Sequence, residues 1–131
     1  MTEMEQEKRA SLHADVMLRR ALDLRAKNNV LIAEFMGVKS YEASGYTNFV
    51  YSEDNHRTEV DLAYHDSWDW LMPVVEKIDE VSDENTLFKV EHNRAFVEDI
   101  ENYHIFIDVI ASSRLEATYK AVVEFINQLN K

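Results

Sequence analysis

The chain has 131 residues, enough for one domain that buries roughly two-thirds of its unfolded surface, and 46% of them are hydrophobic, so disorder is not expected. It contains no cysteine, which excludes disulfides, thiolate catalysis and cysteine-ligated zinc. Its net charge of −11 is uneven: residues 1–28 hold six bases against five acids, and the remainder carries −12.

A body that acidic repels a phosphate backbone, so direct nucleic-acid binding is not expected. No apolar run approaches the roughly 18 residues that span a bilayer, so no membrane association is expected either. The opening "MTEMEQEKRASLH" lacks the apolar core of a signal peptide, and the chain reads as cytoplasmic.

In chain order, residues 3–27 read as a helix, with Thr2 and Glu5 at capping-box spacing. Its apolar stripe is thin: Ala10, Ala14, Met17, Ala21 and Leu24, with Leu18 and Leu22 beside it. Asn28-Asn29 suggests a break, after which "VLIAEFMG" continues as a short apolar helix that Gly37 can terminate. The expected organisation is thus an N-terminal helical arm, 1–28, and a single sandwich-like domain, 29–131. Gly45, Ser44 and Asn48 mark turns, "YTNFVYS" (46–52) reads as a strand, and "SEDNHR" (52–57) as a polar turn. "TEVDLAY" (58–64) alternates, which predicts a half-buried strand with Val60, Leu62 and Tyr64 on one face. A helix over 67–81 and an acidic turn, "SDEN", follow. "TLFKVEH" (86–92) and "AFVEDI" (95–100) predict a hairpin about Asn93-Arg94. "YHIFIDVI" (103–110) is apolar on both sides, as suits a strand inside a sheet. Ser113 and Glu116 form a second capping box, opening a helix striped by Leu115, Tyr119, Val122, Ile126 and Leu129. The fold class expected is α+β: one antiparallel sheet of about four to five strands with helices packed on it, an αβα sandwich-like arrangement, plus the N-terminal helical extension.

The chain's two tryptophans stand in "YHDSWDWLMPVVEKIDEV" (64–81), just ahead of its only proline. With Asp66 or Ser67 as N-cap, Trp68, Leu71, Met72, Val75 and Ile78 share one helical face, which predicts Trp68 as a core anchor. Trp70 points roughly 200° away and is the candidate for a partner contact, together with the neighbouring Tyr64 and His65. Asp61, His65, Asp66 and Asp69 match no metal-ligand pattern such as H-E-x-x-H, so no metal is expected. His13, His56, His92 and His104 show no spacing with a nucleophile, and His104 alternates with strand residues as an interior or edge residue would. Gly37 and Gly45 are the only glycines, which excludes a glycine-rich phosphate loop, and G-x-S-x-G is absent. No catalytic residue and no cofactor are therefore assigned, and nothing in the sequence argues for an enzyme.

The order of "NNVLIAEFMG", a variable sheet region, "YHDSWDWLMPVVEKI" and "SSRLEATYKAVVEFI" resembles small phage and prophage proteins of the phage ABA sandwich family. Leu31–Glu34, Met36, Gly37, Tyr64, Ser67, Trp68, Val75–Lys77, Glu116, Ala117 and Ala121–Val123 carry the likeness, which spans about residues 29–129. The resemblance implies a sheet between helical layers and a phage or mobile-element origin, and it brings no catalytic residues. The expected function is a non-enzymatic accessory protein, phage- or prophage-encoded, that binds a host or phage protein in the host cytoplasm, with homo-oligomerisation through the N-terminal helix open to it. Two other readings stand beside it. One is a small enzyme or ligand-sequestering protein with a pocket near Tyr64–Asp69. The other is an acidic nucleic-acid mimic aimed at host defence, using Asp79, Glu80, Asp83, Glu84, Glu98, Asp99 and Glu101.

Overall fold

The computed structural model describes residues 3–131 and, within them, all side chains but those at positions 3, 4, 7, 8 and 10. Thr2, the first expected cap, lies outside the described residues. One helix, α1 (Glu3–Phe35), runs unbroken through Asn28-Asn29, where the sequence favours an interruption. At 1.5 Å per residue it is about 50 Å long. Its last two turns bury Asn29, Ile32 and Ala33, while the stretch from Arg9 to Arg25 is exposed throughout wherever its side chains are described. The helix ends in a Schellman motif. Gly37 takes a positive φ of 74°, the Val38 N–H reaches the Ala33 carbonyl at 3.0 Å, and the Gly37 N–H reaches Glu34. Lys77, from another helix, donates to the Phe35 carbonyl and places its ammonium 4.9 Å from the Phe35 ring centre.

The expected single sheet of four to five strands is two antiparallel sheets of three. The first comprises β1 (Lys39–Ala43), β2 (Tyr46–Ser52) and β3 (Asn55–Thr58). β1 is exposed along its whole length, so it has no burial alternation for the sequence to display. A two-residue turn with positive φ at both Ser44 and Gly45 joins β1 to β2, the geometry that suits a twisted hairpin. "SEDNHR" is only partly a turn: Asn55–Arg57 already belong to β3. Phe49 is the residue through which this sheet enters the core.

The segment 58–64 is not a strand. Glu59–Asp61 form a single 3₁₀ turn that leaves Val60 68% exposed, and the extended chain after it buries Leu62 and Tyr64. Helix α2 (Trp68–Val81) follows, with Ser67 at the N-cap position but without a side-chain cap bond. The second sheet, β4 (Thr86–Glu91), β5 (Arg94–Asp99) and β6 (His104–Ile110), is a meander in that order. Its first turn is His92-Asn93, one residue earlier than expected. β6 is an edge strand, not an interior one, and Ile110 is left exposed. Helices α2 and α3 (Arg114–Leu129) pack on one face of this sheet, against Phe88, Val90, Ala95, Val97 and Ile107. On the other face Phe96 is covered by Arg94 and Lys89, which pair with Asp108 and Glu98. Ser113 caps α3 by accepting from the Glu116 N–H at 3.1 Å. The Glu116 carboxylate turns back to the Ser112 hydroxyl and N–H and not to Ser113. That hydrogen bond, with help from Lys120, holds Glu116 down at about 2.

Candidate functional site

The four residues Leu71, Val74, Val75 and Ile78 form the buried seam of α2. Trp68 and Trp70 sit on opposite flanks of that seam, and what faces each flank decides its fate. Trp68 is 37% exposed, on a groove with Met72, Val75 and Val90, so the expectation of a core anchor is corrected. Trp70 is half-buried in an aromatic cluster. Its ring centre lies 4.8 Å from Tyr51 and 5.1 Å from Tyr64, the latter edge-to-face, and the Arg57 guanidinium stacks over it at 4.8 Å. Stacking and edge contacts of this kind add about 0.5–1.5 kcal/mol each beyond burial.

Strand β2 delivers Tyr51, β3 delivers Asn55 and Arg57, and the loop before α2 delivers Tyr64. Arg57 is held in place by Asn55 Oδ1 at 3.1 Å and by the Asp61 carbonyl at 3.3 Å. The Tyr51 and Tyr64 hydroxyls meet at 2.8 Å. Burial raises the Tyr64 phenol far above its ordinary value, and its hydrogen bond to Tyr51 raises it further. Burial also raises Tyr51, against the opposing influence of Tyr64 and Arg57. Both phenols therefore stay protonated near neutral pH and serve as donors, not bases. Between these residues and Met36, Val38 and Pro73 opens a cleft of about 350 Å³.

Of the three contact candidates, the fold brings Tyr64 and Trp70 together and turns His65 the other way. His65 Nδ1 lies 3.0 Å from the Asn29 side-chain nitrogen, on the far side of the loop. Asn29 was missed in the sequence, where it reads as a helix interrupter. It is 1% exposed and joins three elements. Its Nδ2 donates to the Leu62 carbonyl at 3.1 Å and to His65, and its Oδ1 accepts from Tyr119 of α3 at 2.9 Å. A signal was present: Asn29 shares the helical face of Ile32, Ala33 and Met36. Since Asn29 donates, His65 Nδ1 must accept, which fixes the neutral ring with its proton on Nε2, 3.5 Å from Asp66. Burial lowers the His65 pKa, Asp66 opposes this, and Arg25 adds to the lowering. Burial likewise pushes the Tyr119 phenol up to about 12.

The acids expected to compose a nucleic-acid mimic are partly consumed in turns. Asp83 accepts from Asn85 and Thr86, Asp99 accepts from Glu101 and Asn102, and Glu98 pairs with Lys89. Among the described residues no group of three or more metal-ligating side chains is found, and no helix is long and apolar enough to cross a membrane. No protein-family model, no curated protein and no solved structure matches the chain.

Proposed function

We propose that the protein is a non-enzymatic interaction protein whose binding element is the projecting part of α1, and that this element pairs with its counterpart in a second copy. The observation that carries the reading is the exposure of Met17, Leu18, Leu22 and Leu24, each 47–60% accessible on a helix that leaves the body behind. A helix in water without a packed face is marginal, so such a surface calls for a partner. Ala14 and Ala21 lie between Met17, Leu24, Leu18 and Leu22, making an apolar face roughly 160° wide that permits close approach.

Charge selects the occupant. Residues 3–9 contain three acids against Lys8 and Arg9, a net −1, whereas residues 19–27 contain Arg19, Arg20, Arg25 and Lys27 against Asp23 alone, a net +3. Antiparallel pairing of two arms sets the acidic end of each against the basic end of the other; parallel pairing sets like against like. The resemblance to phage and prophage proteins supports a phage- or prophage-encoded accessory factor acting on a host or phage protein in the host cytoplasm. Its sandwich-like sheet architecture belongs to the same proposal.

Sedimentation equilibrium tests the pairing on the full chain. The expected outcome is a dimer that becomes a monomer in the double variant Leu18→Ser/Leu22→Ser, with the melting of the body unchanged because both positions are exposed. A wild-type chain that stays monomeric at every concentration ends this reading.

A further inference from the structure

We propose that the cleft beside Trp70 is a binding site for a small zwitterion with an apolar side chain, of the α-amino-acid type. The sheet side of the cleft has more donors than it uses. The Tyr51–Tyr64 hydroxyl pair has two hydrogens and one mutual bond, so one hydrogen remains whichever phenol donates. Asn55 spends its oxygen on Arg57 Nε, and its Nδ2 has no partner among the described residues. Arg57 Nη1 reaches the Asp61 carbonyl, and Nη2 makes no bond among the described residues. Tyr51, Tyr64, Asn55 and Arg57 all line the same cleft, and their unspent hydrogens suit a carboxylate.

The α2 side has the opposite polarity. Asp69 lines the cleft with a carboxylate that accepts no side-chain hydrogen bond among the described residues. Pro73, one turn further on, has no N–H to give to the Asp69 carbonyl, so the helix withholds the usual donor from that oxygen as well. These acceptors suit an ammonium group. Met36, Val38, Pro73 and the Trp70 ring supply the apolar wall between the two poles. A volume of about 350 Å³ stands at the small end of ligand sites, which run to about 1,000 Å³. A simple anion leaves Asp69 facing like charge, and a simple cation leaves Arg57 doing so; a zwitterion satisfies both.

The test uses Trp70 as its own reporter. Trp68→Phe removes the other tryptophan, which lies on a different groove. The full-length variant is titrated with L-leucine, with isocaproate (leucine without its ammonium) and with isoamylamine (leucine without its carboxylate), following tryptophan emission. Leucine should give a saturable change, and each truncated probe should bind at least about tenfold more weakly, the loss of one charge-assisted contact. In the Trp68→Phe background, Arg57→Met should weaken leucine about tenfold and leave isoamylamine unchanged. Asp69→Asn should weaken leucine and spare isocaproate; because Asp69 is exposed at the start of α2, this variant keeps the test informative even where Arg57→Met lowers stability. No saturable change with leucine overturns the proposal, as does equal binding of all three probes.

Discussion

Asn29 carries more of the structure than any other polar side chain, because three elements meet on one amide. Asn29→Ala removes both donors and deprives Tyr119 of its closer acceptor, leaving the Leu62 carbonyl buried without a partner. The expected loss is about 2–4 kcal/mol in urea melts, since each stranded buried group costs about 1–3 kcal/mol. A change within the ~0.5 kcal/mol typical of surface positions would mean that water replaces the amide. His65 extends the argument to pH. Burial lowers the His65 pKa, and protonating Nδ1 would set a hydrogen against the Asn29 hydrogen at 3.0 Å, so the fold prefers the neutral ring. The unfolded chain takes up this proton near pH 6.5 and the folded chain does so only at lower pH, so stability is lost as pH falls below about 6.5. Stability measured between pH 7 and 5 should therefore slope more steeply in the wild type than in His65→Gln. Equal slopes would remove His65 from the account. The lowered carboxylates Glu116, Asp99 and Asp108 titrate below the usual carboxylate range and do not enter this window.

At the level of elements, α2 shows where a sequence pattern stops being decisive. Spacing places Leu71, Val75 and Ile78 on the buried seam, but it also places Trp68 and Met72 there, and both are exposed; the seam has two flanks, and each carries a tryptophan. Tyr51 and Arg57 select Trp70 as the packed one, and they come from strands that spacing within α2 cannot see. Trp70→Ala should therefore cost about 2–4 kcal/mol and Trp68→Ala about 1 kcal/mol, read from parallel urea melts. A larger loss at Trp68 would reverse this account of α2. The same limit explains residues 58–64. Alternation reports an extended chain with one buried side, and Leu62 and Tyr64 provide that without any neighbouring strand. β1 left no trace because it buries nothing. β4 and α3 were legible because they rest on the core with a regular period, β5 and β6 because they are short apolar runs between turns, and the cap of α3 announced itself as Ser113 and Glu116. The cleft was legible only in part. Tyr64 and Trp70 stand in one short stretch, but Tyr51, Asn55 and Arg57 reach them by folding.

On the scale of the whole molecule, charge and shape divide along one line, with a nearly neutral helical arm, +1 over residues 1–28, projecting from a body of −12. Docking at home would cover only the apolar face that pairing between copies also covers, and the C-terminal end of α1 is tied to the body through Asn29 and Lys77. The two small sheets have a further consequence. Two sheets of three strands leave four open edges, at β1, β3, β4 and β6, where one sheet of six would leave two. Open edges invite strands from other molecules. Here the bulges at Val50/Ser52 and Val97/Glu98 distort the ladders, and β3 is only four residues long. The remaining protection is mutual repulsion between acidic bodies, and it vanishes at the isoelectric point of about 4.8. Turbidity and thioflavin fluorescence followed from pH 7 downward should rise near that pH, and salt at neutral pH should bring part of the same rise by screening. A clear, thioflavin-negative solution throughout would show that the bulges suffice. On this account the acidic residues keep separate molecules apart at neutral pH, and association through the strand edges is expected as the pH approaches about 4.8.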